Sequence, residues 1–351
     1  MKMVLVFAML GGSGPGLRPS AALIFASVCA SVLAPLLAAC AVTAPGPGSN
    51  AGAGKGVRPR VVTTFLPITL FSKAVAGDCA LVEPLLPASV GPHDFQARPA
   101  DLARLQQARV LVKNGLGLET FLDKLIATVD NPQLLVIDTS KAVTTLMNPD
   151  NKNPDNKNPD NKNPDHKNLA NKNQNPHIWL DPLRAAQQVE AIRDGLIAVD
   201  PGCKAGYSRN AAALVSQLQS LNRELASQLA PYAGKSFVAF HDFAPYFAER
   251  YRLKANFLVD LPEANPSPAD LQRVTKLVKA SELKALLSEP QEGSGSFNAL
   301  VKDLGISVGI FDPIETGPAA ALKPTTAANS ANYYLETMRS NGKNLISAFG
   351  G

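Results

Sequence analysis

Residues 207–229 read YSRNAAALVSQLQSLNRELASQL, and this stretch predicts one long helix in the middle of the chain. Its leucines recur at alternating steps of four and three residues, which places them on one face of an α-helix. They are Leu214, Leu218, Leu221 and Leu225. A helix over residues 207–229 would be a rod of roughly 35 Å. We expect a helix of this length to act as a rigid strut between the segments on either side of it.

Strands alternate with helices on both sides of this stretch. Apolar and β-branched runs such as VVTTFL (residues 61–66) and SFVAFH (residues 236–241) predict strands. Each is followed by a helical segment and another strand, which is typical of a parallel sheet. The predicted fold class is α/β, with two parallel-sheet lobes at residues 60–205 and 232–351, joined by one long rigid helix at residues 206–231.

The first 40 residues predict export. Residues 21–39 form an apolar core, and the sequence LAAC that ends at Cys40 is a bacterial lipobox. We expect residues 1–39 to be a lipoprotein signal peptide, Cys40 to carry the lipid, and residues 40–59 to be a flexible tether. The protein is then expected in the cell envelope, lipid-anchored in the periplasm or on the outer face of the cytoplasmic membrane. An uncleaved transmembrane helix is the alternative.

Composition and charge exclude some other classes. Hydrophobic residues make up 46% of the chain and charged residues 18%, which predicts a globular protein rather than a disordered one. The formal net charge of +5 is a small excess spread along the chain, so it gives no reason to expect a nucleic-acid partner.

Four five-residue units interrupt the alternation: NPDNK three times and then NPDHK. Each unit is neutral, with one Asp and one Lys, and its proline disfavours both helix and sheet hydrogen bonds. We therefore predict a disordered surface loop at residues 148–174. His166 stands where the other units have asparagine, and we expect it to be at most an accessory metal contact.

Two cysteines, Cys79 and Cys203, remain beyond the predicted lipidation site. An oxidising envelope permits a disulfide between them, but their spacing does not decide between a disulfide and two separate thiols. Neither has CxxC spacing, so we do not expect a cysteine metal site.

Three of the four histidines, together with one aspartate, lie at predicted ends of elements. They are His93 in a loop after a strand, His177 before a helix, His241 at the end of SFVAFH, and Asp312 at the end of the strand ISVGIF. Ligands of α/β proteins bind beyond the carboxyl ends of the strands. Three imidazoles and a carboxylate suit tetrahedral Zn²⁺ better than Mn²⁺. These four residues are therefore candidate ligands of a zinc site between the lobes. Their spacing forms no compact motif, and the alternative for each histidine is a hydrogen-bonded polar residue near the surface.

Six runs resemble a known family, the zinc-binding solute-binding lipoproteins of high-affinity zinc ABC importers (ZnuA-like, in the TroA-like metal-binding class). They are VVTTFLPI, GPHDFQARPADL, VKNGLGLETFLDKL, NPHIWLDP, FVAFHDFAPYFAERY and FDPIE. The resemblance implies the same fold and three histidine ligands at His93, His177 and His241, with Asp312 or a water as the fourth. Manganese-specific relatives carry glutamate at the position of His241, so the resemblance favours zinc.

The resemblance also marks Glu289 as a recurring position that is either structural or a support for a ligand. Asp94, Glu119 and Asp242 are candidates to orient the imidazoles through their N–H groups; otherwise they are solvated charges. Trp179, the single tryptophan, is expected to pack beside the site.

The predicted function is that of a monomeric receptor, not an enzyme. It would capture Zn²⁺ outside the membrane and deliver it to an ABC-transporter permease. The ATPase would be a separate cytoplasmic protein, because the chain has no P-loop. The alternatives are a manganese or iron receptor of the same family and a surface adhesin lipoprotein. A zinc hydrolase is disfavoured because the sequence has no HExxH motif.

Overall fold

The computed structural model describes residues 57–93, 95–146, 174–262, 264–281, 283–290, 295–323 and 326–351. The predicted signal peptide, Cys40, most of the tether, Asp94 and the repeat with His166 lie outside the described residues. All described residues belong to one compact unit. Among them, no helix is both long and apolar enough to cross a membrane.

The first lobe is built on a four-stranded parallel sheet. Its strands are β1 (Arg60–Thr63), β2 (Leu81–Pro84), β3 (Val110–Lys113) and β4 (Leu135–Asp138), in the order β2-β1-β3-β4. Helices α1 (Leu66–Ala76), α2 (Pro99–Gln107) and α3 (Thr120–Thr128) connect them. Val61, Val110 and Leu111 in the two central strands are fully buried. Burial on both faces explains why these strands read as nearly continuous apolar runs.

The long central helix is present. After α4 (Pro182–Val199), helix α5 (Lys204–Leu229) has 26 residues, begins at Lys204 rather than at Tyr207, and is about 39 Å long. Its buried face contains Tyr207, Ala211, Leu214, Leu218, Leu221, Leu225 and Leu229. Helix α5 packs against α1 and α4 in the first lobe and against the C-terminal helix α9 (Asn332–Ala348). It therefore joins the two lobes along one continuous rod.

The second lobe has the same strand order as the first. Its strands are β5 (Ser236–His241), β6 (Lys254–Val259), β7 (Ala285–Ser288) and β8 (Ser307–Ile310), in the order β6-β5-β7-β8. Helices α6 (Pro245–Arg250), α7 (Pro268–Ser281) and α8 (Gly295–Leu304) connect them. All pairings in both sheets are parallel. The predicted α/β class with two parallel-sheet lobes and a joining helix is confirmed.

A disulfide resolves the alternatives that the sequence left open for the cysteines. Cys79 and Cys203 are bonded, with their Cα atoms 6.1 Å apart. The bond fastens the turn after α1 to the turn that precedes α5, and the two cysteines are 124 residues apart in the chain. Because it restricts the unfolded chain, a disulfide that closes so long a loop stabilises the folded state by about 2–4 kcal/mol.

Candidate metal centre

Four side chains meet between the lobes: His93, His177, His241 and Glu315. Each offers one donor atom, and the four donor atoms all lie within 4.8 Å of one another. The structure therefore brings together the three histidines that the sequence selected. Their binding of metal stays a prediction, and the carboxylate beside them is not the one predicted.

Each of these residues lies at the edge of a sheet that is formed by the carboxyl ends of its parallel strands. His93 lies in the connection from β2 to α2, and His177 precedes a short 3₁₀ turn, Ile178–Leu180, that leads into α4. His241 is the last residue of β5, and Glu315 follows β8. Each lobe thus contributes two side chains, and the parallel topology explains why residues so distant in sequence converge.

The distances between donor atoms fit a tetrahedral zinc shell. His177 Nε2 lies 3.0 Å from Glu315 Oε1 and 3.4 Å from His241 Nε2. His93 Nε2 and His241 Nε2 lie 3.4 Å and 3.9 Å from the same Glu315 oxygen. Zinc bonds of about 2.0–2.1 Å in a tetrahedron separate the donors by about 3.3 Å. A set of three nitrogens and one oxygen at these spacings suits Zn²⁺.

Burial sets the protonation of the site. His177, His241 and Glu315 are all nearly inaccessible to solvent. Burial lowers the pKa of His177 to about 4, although Glu315 opposes this effect. Burial alone would raise the pKa of Glu315, but His177 and His93 outweigh it and hold that pKa well below its usual range. At neutral pH the site therefore offers a neutral imidazole at His177 and an ionised carboxylate, the forms that bind metal.

Asp312, the predicted fourth ligand, does not join the group of four in the structure, and its binding of metal stays a prediction. Its Oδ1 accepts a hydrogen bond from the Ile314 backbone N–H at 2.7 Å, and its Oδ2 lies 3.4 Å from the Tyr333 hydroxyl. Ile314 is buried and has a φ of 63°, a conformation that costs a β-branched residue about 1–3 kcal/mol. The chain turns sharply there, so Glu315, three residues beyond the predicted ligand, enters the site instead.

The predicted supporting carboxylates have different roles. Glu289 is buried and accepts a hydrogen bond from His241 Nδ1. This contact is the one expected of a residue that supports a predicted ligand. Glu119 instead accepts from the Asn114 and Gly115 backbone N–H groups and from the Thr64 hydroxyl. It therefore fixes the loop after β3, and its hydrogen bonds within the described part of the chain include none to an imidazole.

Asp242 also lacks the predicted contact with an imidazole among the hydrogen bonds of the described residues. Its Oδ2 and its carbonyl oxygen both accept from the Asn175 side chain. Burial raises the pKa of Asp242 to about 6. Asp242 is thus linked to His177 through Asn175, a residue that the sequence patterns did not select.

Trp179 packs beside the site, as predicted. Its ring centroid is 5.1 Å from that of His177, and its indole N–H donates to the Pro313 carbonyl oxygen at 2.7 Å. The Trp179 carbonyl oxygen in turn accepts from the Tyr334 hydroxyl at 2.6 Å. Both hydrogen bonds connect the two lobes. They hold Trp179, which packs beside His177, against the segment that leads to Glu315.

The architecture defines a class: α/β proteins with two parallel-sheet lobes, one joining helix and a candidate metal centre between the lobes. The model of the family described as "Zinc-uptake complex component A periplasmic" matches residues 61–348. The chain therefore belongs to the ZnuA family.

Individual relatives agree with the family. The zinc-binding lipoprotein AdcA of Streptococcus pneumoniae R6 is 33% identical over 257 residues, which cover 73% of this chain and 50% of AdcA. The high-affinity zinc uptake system protein ZnuA of Bacillus subtilis is 30% identical over 285 residues, 80% of this chain and 87% of that protein. The chain thus spans about half the length of the AdcA proteins that it matches and most of the length of this ZnuA.

Solved structures match the fold at similar identity. The Zn(II)-bound ZnuA-like domain of Streptococcus pneumoniae AdcA superposes with a TM-score of 0.65 and 31% identity, over 83% of this chain and 98% of that domain. The laminin-binding protein Lmb of Streptococcus agalactiae, described as having adhesin and metal-transporting activity, has a TM-score of 0.68 and 25% identity. It is matched over 83% of this chain and 99% of its own.

Proposed function

We propose that this protein captures Zn²⁺ between its two lobes outside the cytoplasmic membrane and delivers it to the permease of an ABC importer. The observation that carries the proposal is the group of three imidazoles and one carboxylate, whose four donor atoms lie within 4.8 Å of one another. The zinc-binding relatives named above support the choice of metal. A lipid on Cys40 would keep the monomeric receptor beside its permease, and a separate ATPase would drive transport.

The composition of the site favours binding over catalysis. Catalytic zinc sites usually have three protein ligands and leave the fourth position to water or substrate. Here four protein side chains each offer one donor atom within 4.8 Å of the others, and Glu315 and His177 are nearly inaccessible to solvent. We therefore propose that zinc is the cargo of this protein and that no water is activated on it.

Metal competition on the purified full-length protein in detergent tests this function. We expect one tightly bound Zn²⁺ per chain and at least about a hundredfold preference over Mn²⁺, because imidazole donors suit zinc and manganese prefers more oxygen ligands. Isothermal titration against a chelator of known affinity gives both constants. Retention of Mn²⁺ in the presence of equimolar Zn²⁺ would favour the manganese receptor, and no tight binding of either ion would reject the proposal.

Acidification should weaken zinc binding, because protons compete with the metal for the imidazoles. The pKa of His177 is lowered to about 4, so this residue is already neutral at pH 7 and is protonated only as the pH approaches 4. We expect the affinity to fall as the pH is lowered from 7 and to fall more steeply near pH 4. Titrations at several pH values, with circular dichroism to confirm folding, measure this. An affinity that does not change down to pH 4 would contradict imidazole coordination.

A further inference from the structure

The side chain of Asn175 is buried between the lobes and hydrogen-bonded at both ends of its amide. At one end, Oδ1 lies 3.0 Å from the His177 backbone nitrogen and 2.8 Å from His177 Nδ1. At the other end, Nδ2 lies 2.8 Å from the Asp242 carbonyl oxygen and 3.2 Å from Asp242 Oδ2. None of the sequence patterns singled this residue out.

These partners allow only one orientation of the amide. The backbone N–H of His177 can only donate, so the atom that faces it must be the amide oxygen. The carbonyl oxygen of Asp242 can only accept, so the atom that faces it must be the amide nitrogen. Asn175 Oδ1 therefore acts as an acceptor toward the imidazole, and His177 Nδ1 must carry the proton, because otherwise two lone pairs would face each other at 2.8 Å.

The proton on Nδ1 leaves the lone pair of a neutral His177 on Nε2. This atom lies 3.0 Å from Glu315 Oε1 and 3.4 Å from His241 Nε2, inside the group of donor atoms. A lone pair that faces an ionised carboxylate in a buried site is repelled by it, and a cation between the two atoms converts the repulsion into attraction. The tautomer that Asn175 imposes is thus the one that a metal ion at this position requires.

Asn175 is itself fastened to both lobes. Its carbonyl oxygen accepts from the Tyr246 hydroxyl of α6 at 2.7 Å, and its backbone N–H donates to the Leu146 carbonyl oxygen at 3.2 Å. The Tyr246 oxygen also accepts from the Leu146 backbone N–H at 3.0 Å. Together with the bonds to Asp242, these contacts keep the amide at a fixed distance from His177.

We infer that Asn175 is a positioning residue for zinc capture, which holds the His177 ring and its Nδ1 proton so that the Nε2 lone pair faces the metal. The inference rests on the proposed function, because zinc is the ligand that Nε2 would receive. Asn175 does for His177 what Glu289 does for His241, but with a neutral amide in place of a carboxylate. Its role in the cluster is therefore to orient a ligand without adding charge.

The tautomer of His177 in the zinc-free, full-length protein is the direct readout. The chain has four histidines, so ¹⁵N-histidine labelling gives a simple long-range ¹H–¹⁵N spectrum, and His177→Ala assigns the signal. We expect the wild-type protein to show a proton on His177 Nδ1, the atom that faces the Asn175 oxygen. An unprotonated Nδ1 in the wild-type protein would overturn the inference, whatever any variant does.

Two substitutions at Asn175 test the consequence for zinc. Asn175→Ala removes the acceptor, so we expect a mixed tautomer and a dissociation constant that is about 10–100-fold higher, the usual cost of losing such a partner. Asn175→Asp keeps an oxygen that can accept from Nδ1, so it should keep the Nδ1–H tautomer. It also places an oxygen against the Asp242 carbonyl oxygen and carboxylate in place of the amide donor, so we expect it to lose stability and to recover only part of the zinc affinity. A merely structural role for Asn175 predicts no change of tautomer in either variant.

Asn131→Ala provides the matched control. The Asn131 side chain also bonds backbone carbonyl oxygens, those of Leu105 and Ala108, but it lies beyond α3 rather than at the cluster. We expect this variant to lose stability and keep its zinc affinity within about twofold, as for a group outside the ligand network. Weak zinc binding by the wild-type protein would reject the proposed function. Tight binding by the wild type together with unchanged binding and tautomer in Asn175→Ala would reject the role of Asn175 alone.

Discussion

Glu315→Gln is expected to raise the zinc dissociation constant at least about a hundredfold, whereas Asp312→Asn should change it by less than about threefold. Both substitutions replace a carboxylate by the amide of the same shape, so they compare charge at two positions only three residues apart. Losing a group that only supports a metal ligand usually lowers metal affinity about 10–100-fold. Glu315 supplies a donor atom itself, so its loss should lower the affinity at least as much.

The size of the effect follows from charge in a buried site. Glu315 is the single carboxylate in the group of four, and it is nearly inaccessible to solvent. With Glu315 ionised, a bound Zn²⁺ carries a net charge of +1 together with its ligands; with glutamine it carries +2 and has only the weaker amide oxygen. A buried, uncompensated charge is costly, so the variant should release zinc far more readily.

Asp312→Asn preserves what Asp312 does in the folded protein. The asparagine oxygen can still accept the hydrogen bond from the Ile314 backbone N–H, which holds the turn that directs Glu315 inward. Competition titrations of both variants and the wild type, with thermal unfolding of each zinc-free protein as a folding control, measure the contrast. A loss of affinity in Asp312→Asn that equals the loss in Glu315→Gln would restore Asp312 as the ligand.

The contrast between Asp312 and Glu315 shows which features of the site cannot be predicted from sequence patterns. The spacing of apolar residues, with a period of two in strands and about 3.6 in helices, was sufficient to predict both sheets and the long helix. This spacing reflects which face of each element is buried. The three histidines became candidates because they lie at or near ends of elements, and the family resemblance then selected them as ligands. Glu315 was missed because its position depends on the positive φ of Ile314, a single dihedral angle in a loop. Patterns of burial carry no information about such an angle.

Contacts between loops that are distant in sequence could not be predicted from the sequence either. The pairing of Cys79 with Cys203 depends on how the turn after α1 packs on the start of α5. Asn175 acquires its role from Asp242 and Tyr246, which lie on the other lobe. In each case one residue type permits several roles, and only the tertiary structure selects among them.

Asp181 is expected to be the most important single polar side chain for the stability of the interface between the lobes. It is fully buried, and its Oδ1 accepts from the Leu183 backbone N–H at 2.9 Å as the N-cap of α4. Its Oδ2 lies 2.7 Å from Arg184 Nη1 and 2.7 Å from Arg250 Nη2. Arg250 belongs to α6 of the second lobe, and Arg184 also reaches Glu249 of α6 at 2.7 Å.

Asp181→Ala should lower the free energy of unfolding by about 3–5 kcal/mol, because it leaves two guanidinium groups in the interface without their buried counter-charge. The lost helix cap contributes about 1 kcal/mol of this. Urea unfolding of the zinc-free protein, followed by circular dichroism, measures the change from the transition midpoint if the slope stays constant. Zinc added in excess should recover part of the stability, since it binds only the folded state.

Asp194→Ala is the control that separates the effect of burial on stability from the effect of the ion pair itself. Asp194 lies on the same helix and forms an ion pair with Arg193 at 2.7 Å, the same distance as in the pairs of Asp181, but its side chain is 64% exposed. Because solvent screens the charges, an exposed ion pair contributes only about 0–1 kcal/mol to stability. Asp194→Ala should therefore have almost the same free energy of unfolding as the wild type. If Asp181→Ala costs no more than Asp194→Ala, the network does not hold the lobes together. The rigidity of the site must then come from α5 and from the apolar contacts of Trp179.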